Sequence, residues 1–290
     1  MTTYRRVGSY GRVGSALAVL IVLIWTAGSN AQSQHLESPD TVPQGLSGAD
    51  WSSIRAAYER QQGTKEPLAV NAITQAAYLK ASNTAISDGF GTSVAISGDT
   101  VVVGAPHEDS SATGVNGVQG NNSASSAGAA YVFVRTGTTW TQQAYLKASN
   151  TAAEQRFGFS VAVSGDTIVV GSDGAGAHVF VRSGTTWTHQ AYLNVSGRVF
   201  SSVAISNQTI LVGAPNDSSS ATGVNGNQNN TGAAYSGGAF IYVRSGTIWT
   251  QQAYLKASNT GSSDAFGTSV AMAGETVVIG APRETAAPPE

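Results

Sequence analysis

The chain has no cysteine and unusually few charged residues. Only 11% of its 290 residues are charged, against roughly 25% in an ordinary soluble domain. The absence of cysteine excludes disulfides, thiolate metal sites, a cysteine nucleophile and a lipid-modified cysteine. A formal net charge of -2, without any basic patch, argues against a nucleic-acid partner. Surface polarity is therefore expected from hydroxyl and amide groups rather than from ions.

Sequence motifs of catalysis and metal binding are also missing. No GxSxG elbow, phosphate loop or dinucleotide fingerprint occurs where a strand would lead into a helix. The histidines show no HExxH motif or paired ligand spacing, and they are His35, His107, His178 and His189. Because His178 and His189 fall on or beside predicted strands, we interpret them as packing residues. We expect no catalytic residue and no metal site.

The N-terminus resembles an export signal. Several arginines precede the apolar run 16–27, and small residues follow at Ser29 and Ala31. This arrangement predicts a signal peptide over residues 1–31 that is removed after Ala31. The protein would then be secreted, or lie at the cell surface or in the periplasm, without a stable membrane span. The alternative is a membrane anchor formed by uncleaved residues 16–27.

A polar, proline-containing segment over residues 32–73 is expected to be a flexible lead-in. Within it, Trp51, Ile54 and Tyr58 recur on one helical face, which predicts a short helix over 48–62. Its apolar stripe would dock on the following domain. Recognition of a partner is the alternative.

Four imperfect copies of the string FGTSVAISGDTVVVGAP organise the rest of the chain. They begin at Phe90, Phe157, Phe200 and Phe266, and such repeats indicate a repeat architecture. Each copy predicts two strands joined by a tight turn, as at Gly98. The second strand is apolar without alternation, which indicates that both of its faces are covered.

Two further strands follow each of the first three copies. The third strand resembles AAYVFVR, and the fourth is headed by Trp140, Trp187 or Trp249. Four short antiparallel strands per repeat predict an all-β propeller over residues 74–290. A leading strand at 74–80 would bring the total to fifteen. The predicted blades cover about 90–148, 157–195 and 200–257, with a partial blade over 266–290.

The frame formed by Phe90-Gly91 and Gly104-Ala105-Pro106 resembles the FG-GAP repeat of integrin α-subunit propellers and related secreted bacterial proteins. The resemblance implies extracellular binding and cell adhesion more often than catalysis. Propellers of that family close with about seven blades, so the resemblance implies an incomplete ring of three to four blades. The chain would be a truncated propeller, or it would associate with itself to complete the ring.

The resemblance also raises the question of calcium. In calcium-binding blades of the family an aspartate-rich loop lies between the two strands of the motif, where it can wrap the ion. Here only the tight turn at Gly98 joins those strands. We therefore expect no calcium and no other cofactor.

Long insertions between the second and third strands are the predicted ligand-binding loops. They cover residues 107–127 and 216–237, and both contain the string SATGVNG. Insertions at one topological position emerge on one face of a repeat protein. Their oxygens and amides could bind an extracellular protein or glycan, and the alternative is a pair of solvated, mobile loops. The candidate residues are Asp109, Asn116, Asn121, Asn122, Asp217, Asn225, Asn229 and Asn230.

The remaining recurrent acidic residues are interpreted as turn residues. Asp88 and Asp264 precede the first strand of a repeat, and Asp99, Asp166 and Glu275 follow the glycine of a hairpin turn.

The leading functional hypothesis is an exported, non-catalytic binding or adhesion protein with ligand-binding loops on a propeller face. One alternative is a hydrolase or lyase that acts on glycans or other extracellular substrates at that face. The other is a structural fragment of a larger propeller without activity of its own.

Overall fold

The computed structural model of the protein describes residues 52, 75–173, 175–194 and 198–284. The chain divides into two units, residues 1–73 and 74–290. The predicted signal segment 1–31 lies outside the described residues, as does the predicted helix 48–62 apart from Ser52. No helix in the described part of the chain is long and apolar enough to cross a membrane.

The described residues form four antiparallel sheets, each with its strands in sequence order. The first sheet contains β1 (Ser93–Ser97), β2 (Thr100–Ala105), β3 (Ala129–Thr136) and β4 (Thr139–Leu146). The second contains β5 (Phe157–Ser164), β6 (Thr167–Ser172), β7 (Ala177–Ser183) and β8 (Thr186–Leu193). The third contains β9 (Ser202–Ser206), β10 (Thr209–Ala214), β11 (Gly238–Ser245) and β12 (Ile248–Leu255). A two-stranded sheet, β13 (Ser269–Ala273) and β14 (Thr276–Gly280), completes the series.

The predicted fold class is confirmed. The first strands of successive sheets pack against one another in the order β1, β5, β9 and β13, as the inner strands of propeller blades do. The first two strands of each sheet are joined by a tight turn, with Ser97 paired to Thr100 in the first blade. The described residues therefore form three four-stranded blades and one two-stranded partial blade of a β-propeller.

The predicted leading strand at 74–80 is wrong, because residues 75–80 belong to no strand. Their sequence resembles β4, which is an outer strand and needs a third strand as its partner. In the described blades the third strands β3, β7 and β11 already pair with β4, β8 and β12. Leu79 and Ala81 instead pack against the core of the first blade.

The core lies between neighbouring blades rather than within one sheet. Val102 and Val132 of the first blade cluster with Phe157 and Ile168 of the second. A similar cluster joins the second and third blades. Burial from both sides explains why the second strands are apolar without alternation.

Glycines permit the close approach of neighbouring inner strands. A Cβ atom on Gly104 would overlap the carbonyl oxygen of Gly158 in the next blade, and Gly213 has the same relation to Gly267. The carbonyl oxygen of Gly158 also accepts a hydrogen bond of 2.8 Å from the Ser93 hydroxyl. The two glycines of the motif thus bring the backbones of adjacent blades together.

The inner strand of the first blade is open on one face. Val94 and Ile96 are both 67% exposed, since no described blade precedes β1. Gly91 has the same backbone conformation as Gly267, with φ of 94° and 92° respectively. A Cβ atom on Gly91, however, would meet no atom within 4 Å.

This contrast predicts unequal effects of two alanine substitutions. Gly91→Ala should lower the free energy of unfolding by about 1–2 kcal/mol, the conformational cost of a left-handed alanine. Gly267→Ala carries the same cost plus about 1–3 kcal/mol of overpacking, because its Cβ atom would overlap the Gly238 carbonyl oxygen. Denaturant unfolding measures both variants. Equal losses would show that the blades do not meet as described.

Candidate functional site

Both long loops emerge at the same end of the blades. Residues 107–127 join β2 to β3, and residues 216–237 join β10 to β11. In the second blade only 173–176 separate β6 from β7. The turns at Gly98 and Gly137 lie at the opposite end, because the strands are antiparallel.

Each long loop is hydrogen-bonded to the outer strand of its own blade. The Asn116 backbone N–H donates to the Tyr145 carbonyl oxygen at 2.8 Å, and the Tyr145 N–H donates to Asn116 Oδ1 at 2.9 Å. Asn225 and Tyr254 form the same pair at 2.7 Å and 2.9 Å. The repeated string SATGVNG thus contacts an outer strand whose sequence is also repeated.

A buried ion pair anchors the loop of the first blade. Lys147 Nζ lies 2.8 Å from Glu108 Oε2, and the two side chains are 0% and 1% exposed. The Tyr145 hydroxyl donates to Glu108 Oε1 at 2.8 Å, and the Asn83 amide donates to the same oxygen at 2.8 Å. Burial lowers the pKa of Lys147, and the contact with Glu108 opposes that shift.

The third blade builds the corresponding cluster around a shorter acid. Asp217 is 1% exposed and accepts from the Tyr254 hydroxyl at 3.1 Å. Lys256 Nζ lies 4.0 Å from Asp217 Oδ1, because aspartate has one methylene fewer than Glu108. Arg198 supplies a second cation, with its Nε 3.0 Å from Asp217 Oδ2.

The second blade lacks the long loop, and its described residues contain no buried pair of lysine and carboxylate. Asn194 occupies the position of Lys147 and Lys256. His178 lies buried instead, 3.0 Å from His189 between ring nitrogens and stacked on Tyr192 at 4.6 Å. Burial and, to a lesser extent, the neighbouring His189 lower the pKa of His178 to about 3. Both rings therefore pack among other aromatic side chains.

A cleft of about 140 Å³ opens beside the loop of the first blade. Asp88, Glu108 and Asp109 line it together with Asn83 and Asn122. Asp88 is 7% exposed. Burial raises its pKa, and the charges of Glu108 and Asp109 raise it further. In the described part of the chain, no three His, Asp or Glu side chains are grouped so that they could hold a metal ion.

Three of the eight candidate loop residues use their side chains for hydrogen bonds within their own loop. Asn121 Oδ1 accepts from the Ser111 N–H at 2.8 Å, and Asn230 Oδ1 accepts from the Ser220 N–H at 2.7 Å. Asp109 Oδ1 accepts from the Ser126 N–H at 2.8 Å.

Asn116 and Asn225 bind the outer strands, as described above. Asp217 is a buried anchor, which leaves its carboxylate out of reach of an external ligand. Asn122 and Asn229 are exposed. Ligand binding by these residues stays a prediction, as does the absence of calcium.

Sequence reasoning missed the anchors Glu108, Lys147 and Lys256. A signal for them is present in the repeats, since both blades with a long loop carry lysine at the end of the outer strand. The blade without a loop carries Asn194 there.

The interpretation of the other acidic residues as turn residues is confirmed. The Ala85 N–H donates to Asp88 Oδ2 at 2.9 Å, and the Gly261 N–H donates to Asp264 Oδ2 at 2.6 Å. Asp99, Asp166 and Glu275 lie in the hairpin turns between the first and second strands.

The comparison with protein families agrees with this architecture. A family model described as FG-GAP repeat matches residues 73–133, 140–186 and 249–288, which together make up more than half of the chain. The protein belongs to the FG-GAP repeat family. The third blade contributes only its outer strand to the match, and Phe200-Ser201 replaces Phe-Gly at its start.

Comparisons with individual proteins add little. Among solved structures, the crystal structure of the computationally designed Ika4 protein matches with a TM-score of 0.41 and 13% identity. The match covers 73% of this chain and 95% of the designed one. No curated protein sequence matches the chain significantly.

The buried ion pair predicts a large effect for a nearly isosteric change. Glu108→Gln removes the counter-charge of Lys147, so the free energy of unfolding should fall by about 3–5 kcal/mol. Limited proteolysis should also cut more readily within residues 107–127. Asp109→Asn is the control, because its amide oxygen can still accept from the Ser126 N–H. Similar unfolding curves for the two variants would contradict the anchoring described here.

Asp88 and Asp264 occupy equivalent turns but have different charged neighbours. Burial raises the pKa of Asp88, and the charges of Glu108 and Asp109 raise it as well. Burial lowers the pKa of Lys256, and the charges of Asp217 and Asp264 oppose that shift. The ionised Asp88 therefore faces like charge, whereas Asp264 has the cation Lys256 among its neighbours.

Asp88→Asn should consequently raise the free energy of unfolding at pH 7. A raised folded-state pKa means that ionised Asp88 costs stability above that pKa, and this cost is absent below the unfolded-state pKa. The advantage of Asp88→Asn should therefore vanish as the pH falls towards 3.8. Asp264→Asn is the comparison in the equivalent turn, because its amide oxygen can still accept from the Gly261 N–H. Urea unfolding at several pH values measures both variants, and a pH-independent effect of Asp88→Asn would contradict the argument.

Proposed function

We propose that this protein is an exported, non-catalytic binding or adhesion protein that presents ligand-binding loops at one end of its blades. The observation that carries this proposal is a pair of anchored loops with exposed apolar side chains. Val118 is 71% exposed, Val224 65% and Tyr235 61%. Exposed apolar side chains mark protein interaction sites when they form a contiguous patch, and we propose that these three contribute to one.

The anchors make the loops suitable for binding. A loop that must become ordered on binding loses affinity through the entropy of that step. Here the buried ion clusters and the hydrogen bonds to the outer strands already hold each loop in place. An extracellular protein or glycan could therefore bind with a smaller ordering cost.

The family and the N-terminal sequence support export and adhesion. FG-GAP repeats occur in extracellular binding proteins, and residues 1–31 have the composition of a signal peptide. The second candidate function is a hydrolase, which is favoured by one observation. Asp88 has a raised pKa beside two other carboxylates, as a general acid requires.

Binding to glycan and matrix-protein arrays tests the proposal. Replacement of Val118, Val224 and Tyr235 by serine should weaken binding of the ligand found by at least about tenfold, as expected for exposed contact residues. The matched control is Val278→Ser, because Val278 is also 65% exposed but lies on β14. Unchanged binding by the triple variant would exclude the loop tips as the binding surface. Turnover that depends on Asp88 would favour the hydrolase.

A further inference from the structure

The end of the blades away from the long loops carries a repeated arginine. The backbone N–H of each arginine donates to a carbonyl oxygen of the turn between the first and second strands, at 2.9, 2.9 and 3.0 Å. The three pairs are Arg135 with Asp99, Arg182 with Asp166, and Arg244 with Gln208. The backbone geometry is therefore the same in all three blades, although the third turn lacks the aspartate.

In the first two blades the guanidinium group holds a carboxylate. Arg135 Nε and Nη2 lie 2.8 and 2.6 Å from Asp99 Oδ1. Arg182 Nε and Nη2 lie 2.8 and 2.6 Å from Asp166 Oδ1. Arg182 also donates to the Thr100 hydroxyl of the preceding blade at 3.2 Å.

Arg244 has neither of these side-chain partners. Gln208 replaces the aspartate, and no hydrogen bond or ion pair of the Arg244 guanidinium is found among the described residues. The group lies over the Trp249 ring at 5.7 Å, as Arg135 and Arg182 lie over their own tryptophans. Arg244 therefore occupies the position equivalent to Arg135 and Arg182, but its guanidinium N–H groups have no acceptor among the described residues.

Those donors face a cleft of about 450 Å³ between the second and third blades. This volume is within the range of ligand sites. Asp166, Arg182 and Arg244 line the cleft together with Ser164 and Asn207. Because the charges of Asp166 and Arg182 cancel, the net charge of the residues that line the cleft is the single positive charge of Arg244. The charge therefore suits a monoanion.

We propose that Arg244 binds the carboxylate of a uronic acid residue in an acidic glycan. The first two blades show that an arginine in this setting takes a carboxylate, and charge-assisted bonds of this kind are strong. Ser164 Oγ accepts from the Asn207 N–H at 3.1 Å, so the hydroxyl hydrogen can be donated to a sugar oxygen. Val181 is the one apolar side chain of the cleft lining. Mostly polar walls match the hydroxyl groups of a sugar ring better than the side chains of a peptide.

The site is separate from the proposed function of the long loops. It lies at the opposite end of the blades, so substitutions here leave the loops intact. Failure of one proposal does not affect the other.

Titration calorimetry with the full chain provides the test. The probe is an oligoglucuronate tetrasaccharide, and the matching neutral oligoglucose is the comparison. Arg244→Gln should weaken oligoglucuronate binding by at least about tenfold, as expected for loss of a charged hydrogen bond. Gln208→Asp should weaken it to a similar degree although Arg244 is retained, because the new carboxylate would occupy the arginine. Arg135→Gln should leave binding unchanged, since Asp99 already occupies that arginine.

Thermal unfolding of each variant confirms that it is folded. Three outcomes would overturn the proposal. The first is that the natural chain does not bind oligoglucuronate, and the second is that Gln208→Asp binds it as well as the natural chain does. A tetraglutamate peptide that binds as tightly as the glycan would identify an acidic peptide as the ligand class instead.

Discussion

Two of the three junctions between described blades are made by close contact of glycine backbones. The carbonyl oxygen of Gly158 lies against Gly104 of the preceding blade, and that of Gly267 lies against Gly213. Gly158 and Gly267 both have positive φ angles. Side chains at either position would separate the inner strands and open the apolar clusters between the blades. The Phe-Gly and Gly-Ala-Pro motifs recur because this contact recurs.

Variation between the blades is found mainly in the connections between strands. A connection of more than twenty residues must be tied to the blade if it is to present a fixed surface, and two blades do this with a buried lysine and a carboxylate. Such a pair contributes little net stability, because the desolvation of both charges offsets their attraction. It does specify one position for the base of the loop, since any shift would leave a buried charge without a partner. The second blade has no long loop, and it has Asn194 where the other two have lysine.

The sequence was sufficient for the blades but not for the side-chain partners. Strand order and tight turns follow from local patterns, and these were predicted correctly. The strand predicted at 74–80 was wrong. An outer strand forms only if a third strand is free to pair with it, and the local sequence does not show whether such a partner is present. The asparagines of the loops were assigned to ligand binding for a similar reason. An asparagine that caps an outer strand, such as Asn116, cannot be distinguished by composition from one that faces solvent, such as Asn122.

Comparison of repeats within the chain supplies part of the missing information. Equivalent positions share a backbone environment, so a change of residue type at one of them isolates the effect of the side chain. Asp217 is shorter than its counterpart Glu108, and Arg198 contacts the Asp217 carboxylate in the third blade. In the first blade the position of Arg198 is occupied by Asp88, and Asn83 contacts the Glu108 carboxylate. Gln208 stands where the other two blades have Asp99 and Asp166, and no described side chain supplies a carboxylate to Arg244 in their place. Arg198 therefore compensates for the shorter side chain of Asp217, whereas no described side chain compensates for the missing acid at Gln208. An external anion would therefore bind most favourably beside Arg244, whose charge has no partner among the described side chains. The donors of Arg244 are already held in place by the Trp249 ring and by the turn at Gln208.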